Sequence, residues 1–246
     1  MAAPAPSLLV IEHEPDDPPL RFGAWLQAEG IALDVVQAWD GDALPEHLGD
    51  HAGLLVMGGW MSAHHDEEIV WLAGVKQLLR EAARDAVPTV GICLGHQVAT
   101  VALGGHTGSN PAGMQFGLLE VGWTEAAASD PLFGPAVRSQ PSLGIHWNDD
   151  IVHELPPGGE VLARAPGGEI QAARFGPAMW GMQWHPEVDE PMVRRWAQTV
   201  DHVVYEDLAV DEDTERVLAE IDAASPDLEA AWRPLARSFA AMLRGD

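Results

Sequence analysis

The residues whose types and spacing best suit chemistry lie in the run Val90-Gly91-Ile92-Cys93-Leu94-Gly95-His96-Gln97. It has the form G-x-C-x-G, the cysteine counterpart of the serine nucleophile elbow. A side chain at the tip of a sharp strand-to-helix turn sits in a strained backbone conformation, and glycines two residues to either side let strand and helix approach closely. The Cys93 sulfur would then project above the carboxyl edge of a sheet, where open α/β folds place their ligands. The helix N-terminus adds partial positive charge and free backbone N–H groups, which favour a thiolate and can bind an oxyanion. A lone Cys is otherwise a small, inert hydrophobe. The glycine flanks, the preceding apolar strand and the following helix favour the nucleophile.

A nucleophilic thiol needs a base, and the base needs an orienting group. Gln183-Trp184-His185-Pro186-Glu187 supplies both in one segment. Glu187 can accept a hydrogen bond from one imidazole nitrogen of His185 while the other nitrogen faces the thiol. An H-x-E spacing is common by itself, and the pairing with Cys93 is what gives it weight. Gly58-Gly59, at the end of an apolar run, is a place where a backbone amide could approach a ligand, although a Gly-Gly pair alone is only a turn.

Several elements must position these groups. Leu8–Ile11, Leu33–Val36, Gly53–Met57 and Val87–Ile92 read as short apolar strands. Helical spacing between them covers Leu20–Glu29, roughly Glu67–Arg84 behind an Asp66 cap, and His96–Leu103. Strands apolar on both faces, alternating with helices, indicate a parallel sheet covered on both sides. The rhythm then changes to strand-like runs at Phe116–Trp123, Val161–Ala165, Ile170–Phe175 and Ala178–Trp184, with turn signals at Gly167-Gly168 and Gly176-Pro177. Helical patterns return at Pro191–Val204, Asp213–Ala223 and Leu228–Leu243.

Composition narrows the function classes. The 246 residues carry 13 Lys+Arg against 38 Asp+Glu, a net charge of −25. That balance disfavours nucleic acid and anionic membrane surfaces, both of which require clustered Lys and Arg. With 47% hydrophobic residues the chain can bury a sizeable core. One Cys excludes an internal disulfide and fits a reducing compartment. The opening MAAPAPS has no basic n-region and no apolar run is long enough to span a bilayer, so the expected location is cytoplasmic. No Walker-type loop or strand-flanked G-x-G-x-x-G is present, so no nucleotide, flavin or other cofactor is expected. The adjacent His64 and His65 point different ways on a loop, and Asp66-Glu67 suit a helix start, so no metal is expected either. Glu12-His13-Glu14, after the first strand, could form a pocket wall, and His146 with Asp149 and Asp150 either the pocket or a solvated loop. The dispersed Trp71, Trp196 and Trp232 are expected to pack in the core.

Together, Met57-Gly58-Gly59, Gly91–Gln97 and Gln183–Glu187 resemble the three signature segments of class I glutamine amidotransferases, in particular stand-alone proteins similar to the amidotransferase domain of GMP synthase. The resemblance implies a flavodoxin-like α/β fold with a central, mostly parallel sheet, helices on both faces, a small antiparallel sheet and C-terminal helices. It would form residues 1–205, with an acidic helical extension at 206–246. It implies a Cys93–His185–Glu187 triad in which Cys93 attacks the γ-amide carbon of glutamine, releasing ammonia and leaving a γ-glutamyl thioester for water to hydrolyse. The backbone amides of Gly59 and Leu94 would form the oxyanion hole, and Gly58, Gln97, Trp147 and Asn148 would contact substrate. The chain departs from the family pattern at Trp60, where Pro usually follows the Gly-Gly, at Trp184, where Phe is usual, and at Asn148, where His is expected.

Three functions are compatible with these residues. The first is a glutamine amidotransferase feeding ammonia to a separate synthetase subunit, since the roughly 40 residues after 205 are too few for an ATP-using domain. The second is a partner-independent hydrolase or peptidase of another γ-glutamyl compound. The third is a catalytically silent binding protein on the same fold, against which the complete triad argues.

Overall fold

The structure is a computed structural model and describes residues 5–138, 143–200, 203–204 and 208–246. Parallel strands β1 (Ser7–Glu12), β2 (Ala32–Gln37), β3 (Gly53–Val56) and β4 (Thr89–Ile92) alternate with helices α1 (Leu20–Ala28), α2 (Leu72–Asp85) and α3 (Leu94–Ala102). The chain continues through β5 (His106–Ser109), β6 (Gln115–Glu120), α4 (Gly134–Arg138), β7 (Leu143–Asn148), β8 (Asp150–Glu154), β9 (Glu160–Arg164), β10 (Ile170–Arg174) and β11 (Met179–Met182). It ends in α5 (Glu190–Ala197), the short β12 (Thr199–Val200) and β13 (Val203–Val204), and the 33-residue α6 (Glu212–Arg244).

The main sheet runs β2-β1-β3-β4-β11-β10-β8-β5, with β9 on β10. It is parallel from β2 as far as β11 and antiparallel beyond. β6 and β7 form a separate antiparallel pair. Successive strand side chains face opposite sides of the sheet, and two cores follow. Leu8, Val10, Leu55, Met57 and Val90 meet α1 and α6 on one face. Leu9, Ile11, Leu54 and Val56 meet α2 and α3 on the other.

Four expectations shift. The helical pattern at 191–204 holds only in α5, which ends at Ala197, and gives way to the short strands β12 and β13. The second helix starts at Leu72 rather than near Glu67, and Asp66 pairs with Lys76 Nζ at 2.5 Å instead of capping it. β5, β7 and β8 were not expected as strands: His-Thr-Gly-Ser in β5 is polar, and the buried run in β7 does not alternate. The helical patterns at 213–223 and 228–243 join into α6 despite Pro226 and Pro234 within it. A continuous apolar face (Leu218, Ile221, Leu228, Trp232, Leu235, Phe239) is buried across both prolines, so tertiary packing overrides the missing N–H groups.

Candidate active site

Cys93 is the pivot between β4 and α3. Its φ of 49° and ψ of −106° are left-handed territory for a residue with a Cβ, and its N–H is held by the Met182 carbonyl at 2.8 Å. Such strain persists only where the surroundings over-determine it. A Cβ on Gly95 would stand 2.1 Å from the Val56 carbonyl oxygen, and one on Gly91 2.5 Å from the Gly95 backbone. The glycine flanks therefore let α3 lie against β3 and β4 and bring the sulfur to the strand ends.

His185 follows β11, and its backbone N–H bonds the Ile145 carbonyl of β7 at 2.8 Å. Its Nδ1 lies 2.6 Å from Glu187 Oε1, with both side chains buried. That leaves Nε2 for the hydrogen bond with Cys93. Burial alone would depress the imidazole, but the charges of Glu187, Cys93 and Asp17 outweigh it and hold His185 well above the ordinary histidine range. Gln183 Nε2 reaches Cys93 Sγ at 3.5 Å.

The groups surround a cavity of about 480 Å³. Cys93, His185, Gly59, Gln97, Trp147 and Asn148 line it, while Gly58, Leu94 and Glu187 lie behind that lining. A Cβ on Gly59 would meet Leu94 Cδ2 at 3.0 Å, so the two residues expected to offer oxyanion amides are neighbours. Gln97 already donates Nε2 to the Asp150 carbonyl at 2.9 Å and to Gln183 Oε1 at 3.3 Å, tying α3 to the start of β8 and to the segment after β11. Asn148 donates Nδ2 to Gln115 Oε1 and to the Asp150 carbonyl.

Of the secondary candidates, Glu14 and His65 line the cavity. His13 is buried and accepts from Trp71 Nε1, and Glu12 bonds Gln37. His146 is neither pocket nor loop: it is buried in β7, bonding Gln171 at 2.7 Å. Trp232 is core, but Trp196 lines the cavity, its ring 4.8 Å from that of His185.

One residue escaped sequence reasoning. Asp17 is buried; its Oδ1 stands 3.8 Å from His185 Nδ1, and that oxygen alone has no hydrogen-bond partner. Asp17 contacts Glu187 through a hydrogen bond, and burial first, then that neighbouring carboxylate, push it well above the usual range. A Cβ on Gly58 would stand 2.0 Å from Asp17 Oδ2, which explains why no side chain fits at that position. No sequence pattern marks Asp17, and its only local hint is its place after the first strand. Among the described residues, Asp17, His185 and Glu187 alone bring ligand atoms of metal-binding type together, within 4.8 Å. The 2.6 Å Nδ1–Oε1 distance is that of a shared proton.

A thiol on a strained elbow, an imidazole held by a carboxylate and an open cavity beside them suit acyl transfer through a thioester. Comparison with known proteins agrees on the family. The family model described as Glutamine amidotransferase class-I matches residues 26–192. The chain belongs to the class I glutamine amidotransferases. It is 37% identical over 165 residues to the GMP synthase of Aeropyrum pernix, covering 65% of this chain but only 28% of that relative. It is 24% identical to gamma-glutamyl peptidase 5 of Arabidopsis thaliana, across 86% of this chain and 82% of the relative. The crystal structure of a glutamine amidotransferase from Thermotoga maritima superposes with a TM-score of 0.81 at 20% identity, covering 96% of this chain and 98% of that one. The amidotransferase fold thus takes in both the parallel sheet and the antiparallel additions expected from sequence. No described helix of this family member is long and apolar enough to cross a membrane.

Proposed function

We propose that the chain is a thiol-dependent hydrolase of γ-glutamyl amides, with glutamine as the parent substrate. Cys93, hydrogen-bonded to His185, attacks the γ-carbonyl carbon, and the oxygen becomes an oxyanion facing the Gly59 and Leu94 amides. His185 gives the thiol proton to the leaving nitrogen, the C–N bond breaks, and a γ-glutamyl thioester remains. Water, deprotonated by His185, then releases glutamate and restores the thiol. Glu187 holds the imidazole through Nδ1 and stabilises the imidazolium.

The observation that carries this reading is the Cys93–His185–Glu187 alignment, with 2.6 Å between Nδ1 and Oε1, opening onto the cavity. Delivery of ammonia to a separate synthetase subunit is the form this chemistry takes if the likeness to GMP synthase extends to assembly. Partner-independent hydrolysis is favoured by the gamma-glutamyl peptidase, which matches over most of both chains.

The test is release of amine from glutamine and a panel of γ-glutamyl amides by pure protein, beside Cys93→Ala. The variant should lose about 10⁴-fold or more in kcat, the scale of removing a nucleophile, and only the parent should form a thioester adduct detectable by mass. If the parent turns over none of the panel and forms no adduct, the chain is a silent binding protein. Turnover that needs an added synthetase subunit would favour the amidotransferase form.

A further inference from the structure

The leaving side of the scissile bond can be traced from His185. The imidazole must come within hydrogen-bond reach of the leaving nitrogen to protonate it, so a substituent on that nitrogen begins beside the His185 ring. What it meets there is aromatic. Trp196, half-buried, lines the cavity with its ring centroid 4.8 Å from that of His185. Trp147, also half-buried and cavity-lining, follows with its centroid 5.9 Å from that of Trp196. Both indoles are held in place by the protein itself. Trp196 Nε1 donates to the Asp16 carbonyl at 2.8 Å, and Trp147 makes an edge-on contact at 4.9 Å with Phe116, its partner across β6 and β7. Such preformed aromatic faces take up a ligand at little cost in ordering.

The surface supplies a second, separate observation. Large hydrophobics are exposed at only six of the described positions, and two of these, Trp60 at 49% and Met114 at 45%, line this cavity. Trp60 directly follows Gly59, and Met114 lies two residues before Phe116, carrying the apolar lining from Trp147 to the solvent edge. Packing on His185 would account for Trp196 alone. It does not account for an apolar lining that continues through Trp147 to an exposed methionine, which marks a binding surface. At about 480 Å³ the cavity falls among sites for drug-sized ligands, with room for a substituent beyond a γ-glutamyl head.

We propose that the leaving amine carries an apolar, ring-bearing group seated on Trp196 and Trp147, so that the preferred substrates are γ-glutamyl amides of arylalkylamines. This rests on the γ-glutamyl thioester reading above. The γ C–N bond breaks as the C–S bond forms, and the proton from His185 goes to the leaving nitrogen. Water then cleaves the thioester, and the proton lost by the new carboxyl group protonates the released amine. The balance is amide plus water to glutamate plus the protonated arylalkylamine.

Four substrates test this with the full chain: γ-glutamyl-2-phenylethylamide, γ-glutamyl-ethylamide, γ-glutamyl-2-hydroxyethylamide and glutamine. We expect kcat/KM for the phenylethylamide to exceed that for the ethylamide by about tenfold or more, the scale of one well-seated apolar group, with the hydroxyethylamide no better than the ethylamide. The same ratio in variants tests the aromatic wall. Trp147→Ala should bring it close to one, and Trp147→Phe should keep most of it. Damage to the fold or a displaced His185 would slow both amides alike and leave the ratio unchanged, so the ratio rather than the rate is the readout. Should Trp147→Ala fail to fold, Met114→Ser at the exposed rim should still lower the ratio. A ratio near one in the parent, preference for the hydroxyethylamide, or turnover of glutamine alone would overturn the inference while leaving the γ-glutamyl reading standing. So would an undiminished ratio in either variant that folds. Turnover of none of the four would remove both.

Discussion

At the scale of single residues, the proposed nucleophile and base were legible because each lies in a short run whose local pattern carries its meaning: glycines around Cys93, and His185 two residues from Glu187. Asp17 was not legible, since its role depends on a residue 168 positions away (185 − 17) that no local pattern points to. Its carboxyl lies 3.8 Å from His185 Nδ1 and hydrogen-bonds Glu187. Burial and the neighbouring carboxylate favour the protonated form of Asp17, which can donate to Glu187 and keep that carboxylate aimed at the imidazole. It is a positioning residue. Asp17→Ala should lower kcat about 10- to 100-fold, the usual effect of deleting a supporting hydrogen bond behind a functional ligand or base. Asp17→Asn keeps an N–H donor in the same volume and should restore most of the loss. The two proteins should still differ in the pH dependence of their rates. As pH rises through the elevated pKa, ionised Asp17 repels Glu187 and holds the imidazolium proton too tightly, so the parent loses rate where Asp17→Asn, which has no carboxyl to titrate, does not. Superimposable pH–rate profiles, or an Asn variant as impaired as Ala, would show that Asp17 is only packing.

At the scale of elements, the apolar runs of β1, β3 and β4 were readable because strands buried on both faces need continuous hydrophobics. β7 was not, although it holds His185 through the Ile145 carbonyl, because one face of it carries His146 into a buried polar contact with Gln171. The largest indirect support comes from α6. Trp232 packs 5.0 Å from Trp184, which also meets Trp123 at 5.6 Å and Phe133 at 5.9 Å. Trp184 immediately precedes His185, so the C-terminal helix buttresses the strand end that carries the base. We propose that α6, which makes up most of the C-terminal extension, serves as this buttress. Trp232→Ala should cost about 3–5 kcal/mol of stability by cavity formation. It should also lower kcat in the fraction that remains folded, measured by urea titration beside steady-state rates. Trp232→Phe, which keeps most of the aromatic volume, should recover both. Full activity in folded Trp232→Ala would separate α6 from the site.

At the scale of the molecule, acidic groups and buried histidines pull the pH dependence of folding in opposite directions. The chain's net charge of −25 repels itself, and acid relieves that repulsion. Glu14, at about 7, and Asp17 act in the same sense: in the folded state they hold protons that the unfolded chain has already lost, so acid favours folding. Three buried histidines oppose this. Burial lowers His13 to about 4, His96 to about 3 and His146 to about 4. Below about 6.5 the unfolded chain takes up protons that these imidazoles refuse, so their contribution to stability is lost as pH falls. His96 isolates the effect. Neither of its ring nitrogens has a partner, and it packs on Phe175 with ring centroids 5.5 Å apart, whereas replacing His13 or His146 would also break a hydrogen bond. His96→Leu removes the titrating group without orphaning a neighbour. It should therefore flatten the fall in unfolding free energy between roughly pH 6 and 4 by about 1.4 kcal/mol per pH unit relative to the parent. Urea midpoints collected across that range measure it directly. Parallel curves for the two proteins would mean that His96 takes up its proton in the folded state, and that burial does not control it.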